Sequence, residues 1–471
     1  MKDTIDFSQT KLITDKLNKN RVDLSGQDSL NVLEMDPWRL IDHRRFDIVA
    51  KYIYAWFREK DLKSNWGKEI YDNHLWVFNQ YDEDDGSGKK GIDAFINSFD
   101  VTLKSFKENG FNDGISLIPI SKNNTPLDGA HRLTAALLYN QKVKVARLEQ
   151  GDVNYNYEFF KNRGLLPKWC DAIAYEYCKL KRSTYIVTVF PNSLYGREGV
   201  KELLKKYGNI FYEKEVILNK KGISNLLSQH CIGKELVGHH QEEYMESNIL
   251  HVFIFENKND IGYRRLMKEI QSDVGISVTD SKEETIRHAQ VFLNQNTIHF
   301  LNYACPIRNQ LFKTAFEQYK DILNEQNESD NFCLVSDSVK NIYGVRSSDE
   351  LAYIYRETQN FDIKDNLLEN GFHKSLNLTY KKSIDDIIFN PENHFYYQGM
   401  KVASLKIKKQ IKKDRKNYVD WLVVKVIENI ADLFYSFDIE FVKYNIIKKC
   451  KILRLKFGTF RMKILQAIKR W

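Results

Sequence analysis

Long apolar runs are missing from this chain. No stretch of its 471 residues approaches the roughly 18 uncharged apolar residues that a membrane-spanning helix requires. The opening MKDTIDFSQTKLITDK has no apolar segment of the kind that exports a protein, so a cytoplasmic location is expected. Cysteine is scarce and scattered: Cys170, Cys178, Cys231, Cys305, Cys333 and Cys450 show no CxxC spacing. That argues against a zinc site and against a disulfide framework, and leaves reduced structural thiols. With only seven prolines, no internal repeat and no low-complexity linker, boundaries must be read from changes of pattern.

What is present is an ordinary globular balance, 42% hydrophobic and 28% charged, over a length that suggests about three domains. The net charge of +8 is unevenly placed, because the last 71 residues hold 19 Lys and Arg against 6 Asp and Glu. The body is therefore slightly acidic and lacks a basic stripe, which argues against nucleic acid as a partner.

Apolar spacing predicts helix through Phe46, Val49, Ala50, Ile53, Tyr54 and Phe57, and again over IDAFINSFDVTLKSFKENG, closed by Gly110. Between them lies the polar loop QYDEDDGSGKKG. A short strand SLIPI, a turn SKNNTP, the segment DGAHR, a helix to Tyr139 and a strand KVKVARLE follow. A second block opens on the strand TYIVTVFP and alternates strands with helices; within it Ser281 or Thr279 with Glu283 or Glu284 forms a capping box. His288 and His299 sit among apolar residues and read as core histidines. A third block opens on FCLVSD. The reading is α/β and multidomain, with segments at 1–165, 166–325, 326–435 and a basic tail at 436–471.

DGAHR carries the chemistry. A helix start exposes unpaired N–H groups and a partial positive charge, which suits an anion. Gly129 lets a phosphate approach the backbone, and His131 and Arg132 add donors, the guanidinium being fit for a bidentate grip. Asp128 can cap the helix or hold Mg2+. A plain helix start with solvent-facing His131 and Arg132 is the competing reading. The preceding loop supplies Glu83, Asp84, Asp85, Ser87, Lys89 and Lys90: a carboxylate there can deprotonate a hydroxyl, and a lysine can neutralise phosphate. Upstream, Arg44 or Arg45 in DHRRFD can reach an anionic substrate.

Strand, DGxHR, alanine-rich helix and strand together resemble the ParB/sulfiredoxin-like fold over roughly residues 80–150. The resemblance implies that Gly129, His131 and Arg132 hold the phosphates of ATP or another nucleotide, with Asp128 near the acceptor or a Mg2+ ion. By analogy with the free-serine kinase of that fold, Glu83 is the general base and Lys89 a phosphate ligand. The reactive cysteine of sulfiredoxin is replaced by Ala130, which argues against sulfinic-acid reduction.

SDSVKNIYGVRSSDELAYI resembles a nucleotidyltransferase-like domain, with Ser336 to Ser338 as the turn and Asp349 and Glu350 as remnants of the metal site. Ala352 stands where a second aspartate belongs, so the site reads as degenerate. Such domains occur in bacterial surface-polysaccharide gene clusters, which implies a sugar, polyol or glycan acceptor. In the tail, Leu453, Phe457, Phe460, Ile464, Ile468 and Trp471 share one helical face, with basic residues largely elsewhere. It can lie on an anionic membrane surface, pack on protein or meet RNA. The leading expectation is an ATP-dependent phosphotransferase. The alternatives are a catalytically silent nucleotide-binding or scaffolding protein, and a nucleotidyltransferase using residues 336–352.

Overall fold

The computed structural model describes residues 4–5, 15–24, 30–83, 86, 88–230, 249–258, 260–305, 310–345, 351–356, 367, 372–374 and 382–409. Asp84, Asp85, Ser87, Asp349, Glu350 and the basic tail lie outside them. Helices and three sheets of four, five and four strands make up an α/β multidomain protein. Among the described residues no helix is long and apolar enough to cross a membrane.

The chain divides into two compact units. The first holds residues up to Trp56 and Lys68–Cys170; the second holds Phe57–Gly67 and the described residues from Asp171 onward. The segments read from sequence as 166–325 and 326–435 thus share one unit.

In the first unit the strands β1 (Thr4–Ile5), β2 (Leu30–Met35), β3 (Ile118–Ile120) and β4 (Val143–Arg147) form a sheet in the order β1-β2-β4-β3. Only β3 and β4 are parallel, Pro119 facing Ala146. Helix α4 (Ala130–Leu138) makes the crossover between them. Three earlier helices, α1 (Phe46–Glu59), α2 (Trp66–Asn79) and α3 (Ile92–Asn109), meet through an aromatic cluster: Tyr54 stacks on Tyr71 at 4.7 Å, and Phe99 lies 5.5 and 5.6 Å from the two. The 3–4 spacing read from the sequence is the spacing that brings Phe46, Val49, Ala50, Ile53 and Tyr54 to the core. Burial of each large side chain contributes about 1.5–3 kcal/mol. Gly110 ends α3 with φ 73°, its N–H donating to the Phe106 carbonyl at 3.0 Å.

Two turns shape the space around the start of α4. After β3, Ser121 N–H donates to Thr125 O at 2.9 Å, and the chain returns beside β3 as Pro126–Leu127. Between α2 and α3, Asp82 bridges to Lys90, and Glu83 N–H donates to Lys89 O at 3.1 Å. The loop ahead of DGAHR is therefore a hairpin that holds Glu83 and Lys89 side by side.

Beyond Phe57–Gly67, the second unit resumes at Asp171 within α6 (Pro167–Leu180), which follows the short α5 (Tyr157–Asn162) of the first. Then β5 (Thr184–Val189), α7 (Gly196–Tyr207), β6 (Gly208–Ile217), α8 (Lys220–His230), β7 (Ile249–Asn257), α9 (Asp260–Ile270) and β8 (Ile276–Val278) follow. The sheet order β6-β7-β5-β8 is antiparallel throughout, the split βαβ arrangement. Val200 and Leu204 of α7 and Leu266 and Ile270 of α9 pack on Val187, Phe253 and Phe255. Next come α10 (Lys282–Phe292), α11 (Gln295–Tyr303) and α12 (Gln310–Glu325). His288 is buried, and His299 meets the Tyr343 hydroxyl at 3.2 Å.

The remaining sheet runs β11 (His373–Lys374), β10 (Ala352–Tyr355), β9 (Phe332–Leu334), β13 (Met400–Ala403), β12 (His394–Tyr397). Helix α13 (Asp337–Tyr343) joins β9 to β10, α14 (Ile384–Phe389) precedes β12, and α15 (Leu405–Lys409) follows β13. Ser336 starts α13 with φ 56°.

Candidate functional site

A cavity of about 460 Å³ in the first unit is lined by Asp128, Gly129, His131 and Arg132, by Glu83 and Lys89, and by Arg45, Asp47 and Lys51. Residues from the start of α4, from the hairpin before α3 and from α1 thus reach one space. Of the residues singled out from the sequence in this part of the chain, Glu83, Lys89, Asp128, Gly129, His131 and Arg132 line it; Lys90 does not, and Asp84, Asp85 and Ser87 lie outside the described residues.

The start of α4 depends on glycine. Gly129 has φ 80° and ψ 27°, the left-handed region. A Cβ there would meet only the end of the Arg132 side chain, at 2.9 Å from its Nη2. Gly129 is itself the N-cap and accepts no side-chain cap, so the reading of Asp128 as a capping residue is corrected. The Asp128 carboxylate instead accepts from Arg132 Nη2 at 3.2 Å, while Arg132 Nη1 donates to Leu117 O at 3.0 Å. With no side chain capping it, the first turn of the nine-residue helix keeps the electropositive character that attracts anions.

His131 is a donor without a charge. Burial pushes its imidazole well below the usual range, and the nearby ammonium groups of Lys51 and Lys89 push further. Its Nε2 lies 2.8 Å from the Tyr71 hydroxyl, and its ring lies 4.3 Å from that of Phe99. Burial holds the Tyr71 phenol well above its usual range, so its O–H keeps its proton, and the direction of its bond to Nε2 is set by the imidazole tautomer. In the tautomer that accepts from Tyr71, the ring proton sits on Nδ1 and is the donor left for a ligand.

Two carboxylates each bind two cations. Glu83 pairs with Arg21 and stands 3.7 Å from Lys89. Asp47 receives Arg45 side-on, Nε to Oδ1 and Nη2 to Oδ2 both at 2.8 Å, and Lys51 Nζ at 2.9 Å. Burial alone would raise the Asp47 carboxyl, but Arg45 and Lys51 overcome this and hold it far below the carboxylate range. Lys51 Nζ also approaches His74 Nε2 at 3.3 Å. Burial and the Lys51 charge push the His74 imidazole well below its usual range, so its lone pair accepts.

Arg45 and Arg44, alternatives in the sequence, part company here. The parallel bridge Arg45–Tyr155 turns Arg45 inward, where its Nη1 donates to Pro126 O. Arg44 goes to Asp42 and Thr125, both at 2.8 Å, and does not line the cavity.

Sequence reasoning passed over Arg21, Lys51, Tyr71 and His74. One signal was available: Lys51 lies on the apolar face of α1, among Phe46, Val49, Ala50, Ile53 and Tyr54, a position a solvated lysine does not take. Arg21 gives no local sign.

In the second unit Ser338 Oγ accepts from Ala352 N–H at 2.8 Å and donates to Ala352 O at 3.2 Å. That ties the start of α13 to β10 through the backbone of the alanine. Asp337 pairs with the buried Lys340 at 3.0 Å. Among the described residues no three His, Cys, Asp or Glu side chains gather as a metal-ligand set.

Comparison of the chain with protein-family models, with curated proteins and with solved structures gives no match.

Proposed function

We propose that the first unit is an ATP-dependent phosphotransferase acting on a hydroxyl. One observation carries the reading: an uncapped helix start, a neutral imidazole donor, two cations and a carboxylate, Gly129, His131, Arg132, Lys89 and Glu83, line a single cavity. In this reading the nucleotide phosphates rest on the first turn of α4, gripped by Arg132 and Lys89, with the His131 Nδ1–H donating to a phosphate oxygen. Glu83 takes the acceptor proton as the acceptor oxygen bonds to the γ-phosphorus and the bond to the β-phosphate oxygen breaks, releasing ADP. Mg2+, where it travels with the nucleotide, neutralises phosphate charge. Asp128, half-exposed at the mouth of the same helix start, is the residue to hold it, since such ions need only one or two carboxylates beside the phosphates.

The acceptor class proposed is a sugar, polyol or glycan intermediate of surface-polysaccharide synthesis, brought to an anionic membrane surface by the basic tail. A silent nucleotide-binding role is the second reading. It is favoured by the pairing of Glu83 with both Arg21 and Lys89, which a working base must loosen.

Phosphorus NMR of the full chain with Mg2+ and ATP tests this, beside a His131→Ala, Arg132→Ala double variant. The expected result is broadened phosphate signals, and slow turnover with a hydroxyl acceptor, for the natural chain alone. Broadening without turnover across an acceptor screen selects the silent reading, and no broadening in either protein removes both.

A further inference from the structure

Beside the helix start, the cavity lining carries two buried cations with one directly paired carboxylate between them. Arg45 and Lys51 are 2% and 4% exposed, and share the single carboxylate of Asp47, 1% exposed. His74, which also touches Lys51, is held neutral by burial. The cluster therefore sets two cations against one directly paired carboxylate, in a place where an uncompensated charge costs several kcal/mol; burial lowers the Lys51 ammonium from its usual range, and Asp47 and, more distantly, Glu83 hold it up. Its donors are not exhausted either. Of five guanidinium N–H groups on Arg45, three go to Asp47 and Pro126 O; of three ammonium protons on Lys51, two face Asp47 and His74. Both side chains line the cavity.

We propose that Arg45 and Lys51 form a second anion subsite, distinct from the helix start, and that it receives an anionic group of the acceptor. This rests on the phosphotransferase reading of the same cavity. The acceptor is then a hydroxyl compound that already carries a phosphate or carboxylate, and a neutral sugar or polyol is a poor substrate. Asp47 and His74 are positioning residues: they fix the ammonium and the guanidinium so that the remaining N–H groups face the ligand.

The test uses the full chain saturated with the non-hydrolysable β,γ-imido analogue of ATP, so that the γ-phosphate position is filled, and titrates inorganic phosphate by calorimetry. Phosphate should bind the loaded natural chain. Lys51→Met should weaken it at least tenfold while leaving analogue affinity within about threefold, and Lys51→Arg, which keeps the charge, should retain most of it. Thermal melts of both variants check folding, and a Lys51→Met protein that melts early transfers the decision to Lys51→Arg against Lys51→Gln.

Three results overturn the proposal. Phosphate that binds the ADP-loaded but not the analogue-loaded chain makes this pair a γ-phosphate site. Equal loss of analogue and phosphate binding in Lys51→Met merges the two subsites. No phosphate binding to a chain that does bind the analogue removes the second subsite and leaves the nucleotide reading intact. Conversely, Lys51-dependent phosphate binding by a chain that ignores the nucleotide analogue upholds the anion subsite and defeats the nucleotide reading alone.

Discussion

Asp47 is the residue on which the candidate site stands. Among the described residues its carboxylate is the acid that pairs with both the Arg45 and the Lys51 side chain, and all three side chains are withdrawn from water. Removing one partner of such a cluster leaves buried charge unpaired, a loss of about 3–5 kcal/mol. Asp47→Ala should therefore destabilise the first unit by that order, seen as an early transition in urea followed by circular dichroism. Asp82→Ala is the control: Asp82 and Lys90 also pair, at 3.1 Å, but their side chains are 54% and 66% exposed. Exposed pairs contribute roughly 0–1 kcal/mol. Equal losses in the two variants would show that the Asp47 cluster is hydrated and that its charges are not buried.

At the scale of elements, local patterns carried over well. The capping box before α10 is an example, since Ser281 Oγ accepts from Glu284 N–H at 3.2 Å, and the Glu284 carboxylate accepts from Asp280 N–H at 2.8 Å. Ser281→Ala should cost about 1 kcal/mol, read as a lower urea midpoint for the second unit; Ser281→Gly should cost less. The end of α3 at Gly110 and the strands on either side of α4 were legible for the same reason, because each depends on residues within a few positions. The hairpin at 81–91 was read only as a polar loop, although its pairing is what sets Glu83 beside Lys89. Half of the site was legible: DGAHR has a local signature, and the loop before it has the right residue types. The other half left one sign, Lys51 on the apolar face of α1, set against an i, i+4 spacing from Asp47 that equally describes a surface ion pair, and only the packing of α1 against α2 buries the two beside His74. Arg21 reaches Glu83 across 62 residues, a distance no window on the sequence spans.

Across the whole chain, buried histidines should set the response to acid. In the first unit His74 faces Lys51, Asp47, Arg45 and Tyr71, and His131 faces Lys51, Lys89, His74, Asp47 and Tyr71. Burial lowers both well below the ordinary value of about 6.5, and the cations outweigh Asp47. In the second unit burial, with Lys401 assisting, pushes His394 down to about 3, against the Ile387 carbonyl and Asp330. Its Nδ1 lies 3.0 Å from that carbonyl, and its Nε2 is buried without a partner, so a second proton would find no acceptor. The sign follows from proton counting. Below about pH 6.5 the unfolded chain takes up a proton on each of these rings while the folded chain does not, so stability falls as pH falls, by about 1.4 kcal/mol per pH unit per histidine. Two such rings, His74 and His131, stand in the first unit, and in the second unit burial lowers the less deeply buried His251 as well as His394. Urea unfolding at about pH 7 and about pH 5.5, on either side of the ordinary histidine value, should show both midpoints falling. His394→Gln should lessen the second unit's response without touching the first. Flat midpoints over this interval would mean that the folded chain accepts those protons, and then His131 would meet an anion as an imidazolium, with binding that strengthens as the pH is lowered.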